Sequence, residues 1–459
     1  MRTGAALGVL SMTVLFTAFD AAIVAIALPT IQRDLHLTST ALQWVVSGSA
    51  LGLGGFLLLG GRVADLTGPR RSLLWSVAAY AAASVAAGIA DAGWALVSAR
   101  VLAGVSLAFV VPAGLSIVTA SYAEGAGRER ALSVYSAVGA GGWMFGLLLG
   151  GLLTAVSWRL VFLVQAPLAL AVLVATHWLV PRDAPDAPSD RLSALGAVSG
   201  TASLLALVYT LTLGPSRPLW SAQRLTGLAA AGVAAAVFGW AERRATEPLV
   251  PREVRRSPRL MYVNLAALAY AGSYAGFLFI GTLYMQRVLG WSALSTALAF
   301  LPAALTATAL SRSTGSMIER WGVRRVLVGG MATVTVAYVL LLRMDVHSTF
   351  AGVVLPTVVL VGVGAAVTFP GITIAGLAGV DRSRQGVVGG LLNSSEQIGA
   401  GVVVAAASAT AAARVGAGST RSDLLDGYRT SLLVVAGVAA LGLVTTVVIM
   451  LSGSGRASR

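Results

Sequence analysis

The sequence has no cysteine, no lysine and only two asparagines, Asn264 and Asn393. The lack of cysteine excludes a disulfide framework, a thiolate nucleophile and a cysteine-ligated metal. The lack of lysine excludes a G-x-x-x-x-G-K-[S/T] phosphate loop. The three histidines, His36, His177 and His347, are scattered, so no metal or other cofactor is expected. Charge is also scarce: 11% of the 459 residues are charged and 57% are hydrophobic. Soluble domains carry about 25% charged residues, so the chain reads as one polytopic membrane bundle. Its net charge of +14 does not point to nucleic acid. The arginines fall in short links between hydrophobic runs, as membrane topology requires. No loop gathers a Ser/His/Asp or paired-glutamate cluster, so an integral membrane enzyme is a remote alternative.

What the chain has in abundance is long apolar runs, each near the roughly 20 residues needed to cross a bilayer. They cover about 5–28, 43–61, 72–90, 94–119, 131–155, 159–180, 192–213, 224–240, 260–285, 291–311, 326–343, 350–376, 387–412 and 430–451. The first follows a single arginine and is too long for a signal-peptide core, so it reads as a retained span. Fourteen spans with a cytoplasmic N-terminus put 22 arginines inside and 9 outside. That asymmetry predicts that both termini are cytoplasmic. The bias toward Ala, Gly, Val and Arg is what a GC-rich genome gives, and a bacterial cell membrane is the expected location.

One pattern occurs twice. Gly61-Arg-Val-Ala-Asp65-Leu-Thr-Gly68-Pro-Arg70-Arg71 links spans 2 and 3, and Gly315-Ser-Met-Ile-Glu319-Arg-Trp-Gly322-Val-Arg324-Arg325 links spans 10 and 11. Copies separated by an even number of spans repeat in parallel orientation, an architecture known for transporters built of six-span halves. The expected division is 1–180 for the first half, 181–259 for a linker with two extra spans, and 260–459 for the second half. The repeated acid and bases read as a latch on the cytoplasmic side.

Three charges lie well inside spans: Asp20, Arg100 and Glu396. A charged side chain at the bilayer centre costs roughly 2.5–3.5 kcal/mol on insertion scales, and such residues mark proton relays and substrate paths. Counted at 1.5 Å per residue, Asp20 and Arg100 lie roughly 12 and 9 Å from the same face, so the two can meet. Glu396 lies nearer the midplane. Asp20 reads as a proton-coupling carboxylate or as half of a static ion pair. Arg100 reads as structural, tuning or substrate-binding, and Glu396 as a second proton or cation site. In span 5, Gly142, Gly146, Gly150 and Gly151 form a small-residue seam that permits close packing. It reads as packing alone or as a bendable seam against the second half.

These residues resemble the fourteen-span drug:proton antiporter family of the major facilitator superfamily over nearly the whole chain. The 61–71 stretch resembles the superfamily's link between spans 2 and 3. Leu96-Val-Ser-Ala-Arg100-Val-Leu-Ala-Gly104 resembles its fourth-span signature, and Phe19-Asp20 to Leu28-Pro29 the first-span signature of the fourteen-span branch. Ser157-Trp158-Arg159 to Pro167 is similar to the entry to span 6, and Leu283 to Pro302 to the link between spans 9 and 10. Ala22 and Ala25 stand where that branch commonly has Thr and Asn, and Leu147 stands where the fifth-span signature has Pro. The resemblance implies an all-α major facilitator fold, two six-helix halves with two inserted helices. It implies a monomer that exports hydrophobic small molecules and uses the proton gradient in place of a cofactor. A dedicated exporter or importer of one metabolite, such as an antibiotic or siderophore, is the alternative.

Overall fold

The computed structural model describes residues 3–121, 131, 138, 142, 145–181, 194–212, 221–244, 257–378, 380, 385–413 and 420–451. Every regular element among them is a helix. That follows from the composition, because a segment in lipid must satisfy its backbone hydrogen bonds internally. Among the described residues, nine helices are long and apolar enough to cross a membrane. Their outer faces carry Trp94, Trp178, Leu441 and other large apolar side chains in the open. Such a surface suits lipid rather than water.

The chain forms two compact units. The first holds Met1–Leu205 with Val233–Glu247, and the second holds Ala206–Gly232 with Pro248–Arg459. In the first unit lie α1 (Thr3–Asp34), α2 (Ser39–Thr67), α3 (Pro69–Gly88) and α4 (Gly93–Ser121). They are followed by α5 (Phe145–Val156), α6 (Trp158–Leu163) and α7 (Gln165–Leu179). Helices α8 (Ala194–Thr212) and α9 (Ala222–Arg244) are each shared between the units. The second unit holds α10 (Pro258–Leu283), α11 (Ala293–Trp321), α12 (Val323–Leu341), α13 (Leu355–Leu377), α14 (Gln385–Ala412) and α15 (Arg421–Leu451). Short π-helical turns, Tyr284–Val288 and Phe350–Val354, follow α10 and precede α13.

Several helices run past the apolar stretch that predicts them. The repeated pattern is therefore mostly helix: α2 continues to Thr67 and α11 to Trp321, leaving one residue as each turn. Those residues are the pattern's second glycines. Gly68 has φ 91° and Gly322 has φ 79°, a region that side chains with a Cβ rarely enter. Pro69 then opens α3, where its fixed φ and missing N–H do no harm. Gly68→Ala is expected to cost about 1–3 kcal/mol from this strain, read as a lower unfolding temperature in detergent. A Ser72→Ala control inside α3 should have a smaller effect.

Glycine also sets how closely helices approach. A Cβ on Gly60 would meet the Ala108 carbonyl oxygen at 2.1 Å, and one on Gly104 the Ser49 carbonyl oxygen at 2.0 Å, so α2 and α4 touch backbone to backbone. In the second unit, a Cβ on Gly399 would meet the Leu268 carbonyl oxygen at 2.1 Å, which joins α14 to α10. The span-5 seam behaves likewise. Gly142, Gly146 and Gly150 pack on α1 of their own unit, against Leu15, Ala18, Phe19, Ala22 and Ile23. The spacing identifies a close-packing face, but spacing alone cannot say which helix covers it. Here the cover is the helix that carries Asp20.

Ends of elements are tied by side chains. Arg159 Nη1 and Trp158 Nε1 both donate to Asp34 Oδ2 at 2.7 Å, and Arg159 Nη2 donates to the Ala90 carbonyl at 3.2 Å. This clasp joins the end of α1, the turn after α3 and the start of α6. The Asp34–Arg159 pair is well exposed, so its contribution to stability is small. In the second unit, Arg429 of α15 donates to the Met344 carbonyl after α12 at 2.6 and 3.1 Å.

Candidate functional site

Asp20 lies in the middle of α1, in the interior of the first unit. Its residue is 3% exposed and that of Arg100 is 2% exposed. The guanidinium forks onto the carboxylate: Nη1 donates to Oδ1 at 2.5 Å and Nη2 to Oδ2 at 2.9 Å. This bidentate geometry is one that Arg offers and Lys does not. Arg100 Nε donates to the Val45 carbonyl of α2 at 3.0 Å, and the guanidinium carbon lies 5.7 Å from the centre of the Phe162 ring. Ser49, one turn after Val45, donates through Oγ to Asp20 Oδ2 at 3.0 Å. The fourth-span spacing thereby gains a physical reason. Arg100 and Gly104 lie one turn apart on the face of α4 that meets α2. Gly104 lets α2 come close enough for Val45 and Ser49 to reach the ion pair.

Two further helices complete the surroundings. The Tyr80 hydroxyl, from α3, lies 3.4 Å from Asp20 Oδ1 and also contacts Gln165 Oε1 of α7. Gln165 Nε2 donates to the Val161 carbonyl at 3.0 Å. Tyr80 and Gln165 are both buried. Ser49, Tyr80 and Gln165 are the site residues that sequence reasoning misses. Uncharged polar side chains are common in transmembrane helices, so none of the three stands out. Depth matching, which brings Asp20 to Arg100, is the one signal that could have found them. An ion pair held this way is expensive to break, since removing one partner strands the other charge.

Glu396 lies on α14 in the second unit. It is half-buried, and no hydrogen bond or ion pair reaches it from the other described residues. Its neighbour Ser395 donates to Asn264 Oδ1 of α10 at 2.8 Å. On the same turn, Asn393 Oδ1 and Ser394 Oγ are buried without partners. Tyr270 and Tyr274 of α10 stack with ring centres 6.2 Å apart. Phe277 and Phe279 of the same helix are buried in the core.

Of the loop residues, Arg70 is the one with clear geometry. Its Nε donates to the Val180 carbonyl and its Nη2 to the His177 carbonyl, both at 2.9 Å. It therefore caps the end of α7, where free carbonyls and the helix dipole favour a cation. The Asp65 side chain lies outside the described residues. Gly61 and Gly315 lie within α2 and α11. Arg71, Glu319 and Arg325 are exposed and Arg324 is half-buried. Gly151 is buried in α5.

An all-helical polytopic bundle with a buried, bridged acid–base pair defines a membrane transporter class. The Major Facilitator Superfamily profile matches residues 10–404, and the chain belongs to that family. It is 33% identical over 445 residues to the puromycin resistance protein pur8 of Streptomyces alboniger, covering 93% of this chain and 87% of that one. It is 33% identical to the cephamycin export protein CmcT of Amycolatopsis lactamdurans, covering 83% and 79%. It is 32% identical to the tetracenomycin C resistance and export protein of Streptomyces glaucescens, covering 88% and 75%. Among solved structures, a bacterial homologue of the human lysosomal transporter Spinster, inward-facing and unoccupied, matches with TM-score 0.69. It is 18% identical and covers 97% of this chain and 96% of its own. The nucleoside transporter NupG matches at TM-score 0.67 and 12% identity, covering 98% and 100%. These two speak for the fold alone.

Proposed function

We propose that this protein exports hydrophobic small molecules, antibiotics among them, from a bacterial cell in exchange for protons. The observation that carries the reading is the Asp20–Arg100 pair, buried in a chain whose relatives include antibiotic resistance and export proteins. A carboxyl group moved between dry and hydrated surroundings can take up a proton on one side of the membrane and release it on the other. Arg100 holds the carboxyl by two hydrogen bonds, and a cationic substrate near the site would compete for it. Export and proton entry then share one group by alternating access. Glu396, with its unpartnered neighbours Asn393 and Ser394, is a second proton or cation site. The repeated Gly-Asp/Glu-Gly-Arg-Arg turns act as latches, with Arg70 holding α3 to α7. The working form is a monomer of fourteen spans with both termini in the cytoplasm.

A narrower reading, a dedicated exporter of one antibiotic, is favoured by the single-compound names of several relatives. One panel separates the two. Cells producing the protein are challenged with many drugs, with and without an uncoupler. Broad, uncoupler-sensitive resistance is expected for the general antiporter. Resistance to a single compound selects the dedicated exporter. Resistance that survives the uncoupler contradicts proton coupling in either form.

A further inference from the structure

The hydrogen bonds around Asp20 have a direction that can be worked out atom by atom. On one side are only donors: Arg100 Nη1 and Nη2 from α4, and Ser49 Oγ from α2. On the other side is Tyr80, from α3. Its hydroxyl has one hydrogen and two neighbours, Gln165 Oε1 and Asp20 Oδ1. Gln165 decides where that hydrogen goes. The Val161 carbonyl can only accept, so the Gln165 nitrogen must face it, as it does at 3.0 Å. The amide oxygen is thereby turned to Tyr80, and it too can only accept. The Tyr80 hydrogen is committed to Gln165. Asp20 Oδ1 also lies within reach of that hydroxyl, at 3.4 Å, but with the hydrogen on the nearer Gln165 oxygen it is a lone pair that faces Asp20.

We propose that Tyr80, keyed by Gln165, is the hydrogen-bond acceptor for the proton that Asp20 carries, and that Oδ1 is the oxygen protonated. This rests on the coupling reading above. When a proton from water joins Oδ1, the new O–H donates to Tyr80 Oη. The Arg100 Nη1 contact to that oxygen weakens, while Nη2 stays on Oδ2. The carboxyl goes from −1 to neutral, and Arg100 keeps its positive charge. Asp20 thus sits between a donor set that suits its ionised form and an acceptor that suits its protonated form. Arg100 is the charged group facing it among the described residues. Phe162 of α6 faces Arg100, and the fifth span lays Gly142, Gly146 and Gly150 against α1. Tyr80 and Gln165 are positioning residues, and α7 is tied through them to the state of Asp20.

The test is an infrared titration of the purified full-length protein, which needs no substrate. The protonated carboxyl band that disappears in Asp20→Asn reports Asp20, and its midpoint is followed against pH. Tyr80 favours only the protonated form. Tyr80→Phe should therefore lower the midpoint by about half to one pH unit, the size of one hydrogen bond. Gln165→Met leaves Tyr80 in place and frees its hydrogen to turn toward the ionised carboxylate. It should shift the midpoint in the same direction, and it carries the test if Tyr80→Phe does not fold. The double variant should move no further than Tyr80→Phe, because Gln165 acts through the hydroxyl. An unchanged or raised midpoint in either single variant overturns the proposal and leaves the coupling reading standing. Absence of any Asp20-dependent band overturns both.

Discussion

Arg100→Leu is expected to be the most damaging single change in the first unit, lowering stability by about 3–5 kcal/mol. The loss has three parts. Asp20 is left as a buried charge with only Ser49 donating to it firmly. The Val45 carbonyl loses its Nε donor. The packing of the guanidinium on Phe162 goes as well. Domains are stable by roughly 5–15 kcal/mol in all, so a change of this size should show as poor accumulation in the membrane. Fluorescence-detected size exclusion of the tagged protein measures it. Combining Arg100→Leu with Asp20→Leu should recover much of the protein, because no unpaired charge then remains. The double variant should still fail to transport. If Arg100→Leu alone accumulates normally, the pair is not worth what its geometry implies.

Gly104→Ala is expected to lose activity although alanine is the better helix former. In an exposed helix the exchange would gain about 1 kcal/mol. Here the new methyl would stand 2.0 Å from the Ser49 carbonyl oxygen. Helix backbone cannot yield as a flexible side chain can, so α2 must move away by about 1 Å, and overpacking of this kind costs about 1–3 kcal/mol. The steric term wins. The displacement carries Ser49 and Val45 away from Asp20 and Arg100, so transport should fall more than stability does. Gly232→Ala in α9 meets nothing within 4 Å and should leave both unchanged. A Gly104→Ala protein with normal melting and normal transport would show that the backbone contact does not set the site.

How much of this could be read in the sequence depends on how improbable each residue was in its place. Asp20, Arg100 and Glu396 are costly in an apolar helix, and that cost drew attention to them before any contact was known. Counting residues from the span ends then placed Asp20 and Arg100 at matching depth. Ser49, Tyr80 and Gln165 escaped because a neutral polar group in a span carries no such cost. Their meeting depends on three helix rotations that hydropathy does not encode. Gly68 and Gly322 were legible as a repeat, but their positive φ was not. Gly104 was visible as part of a signature without a reason, which the Ser49 contact supplies. Glu242 shows the opposite error. It falls just past the apolar run 224–240, yet it is 1% exposed at the end of α9. Helices continue past their apolar stretch, and a charge at such an end can still be covered.

Asp20 is the group proposed to trade a proton for substrate. Everted vesicles carrying equal amounts of wild-type and Asp20→Asn protein, with an imposed proton gradient and the compound selected by the resistance panel, test it most directly. Gradient-driven uptake should be present in the wild type and absent in Asp20→Asn, with the variant still inserted in the membrane. Uptake at the wild-type rate by Asp20→Asn would contradict the account and leave the Asp20–Arg100 pair a structural tie between α1 and α4.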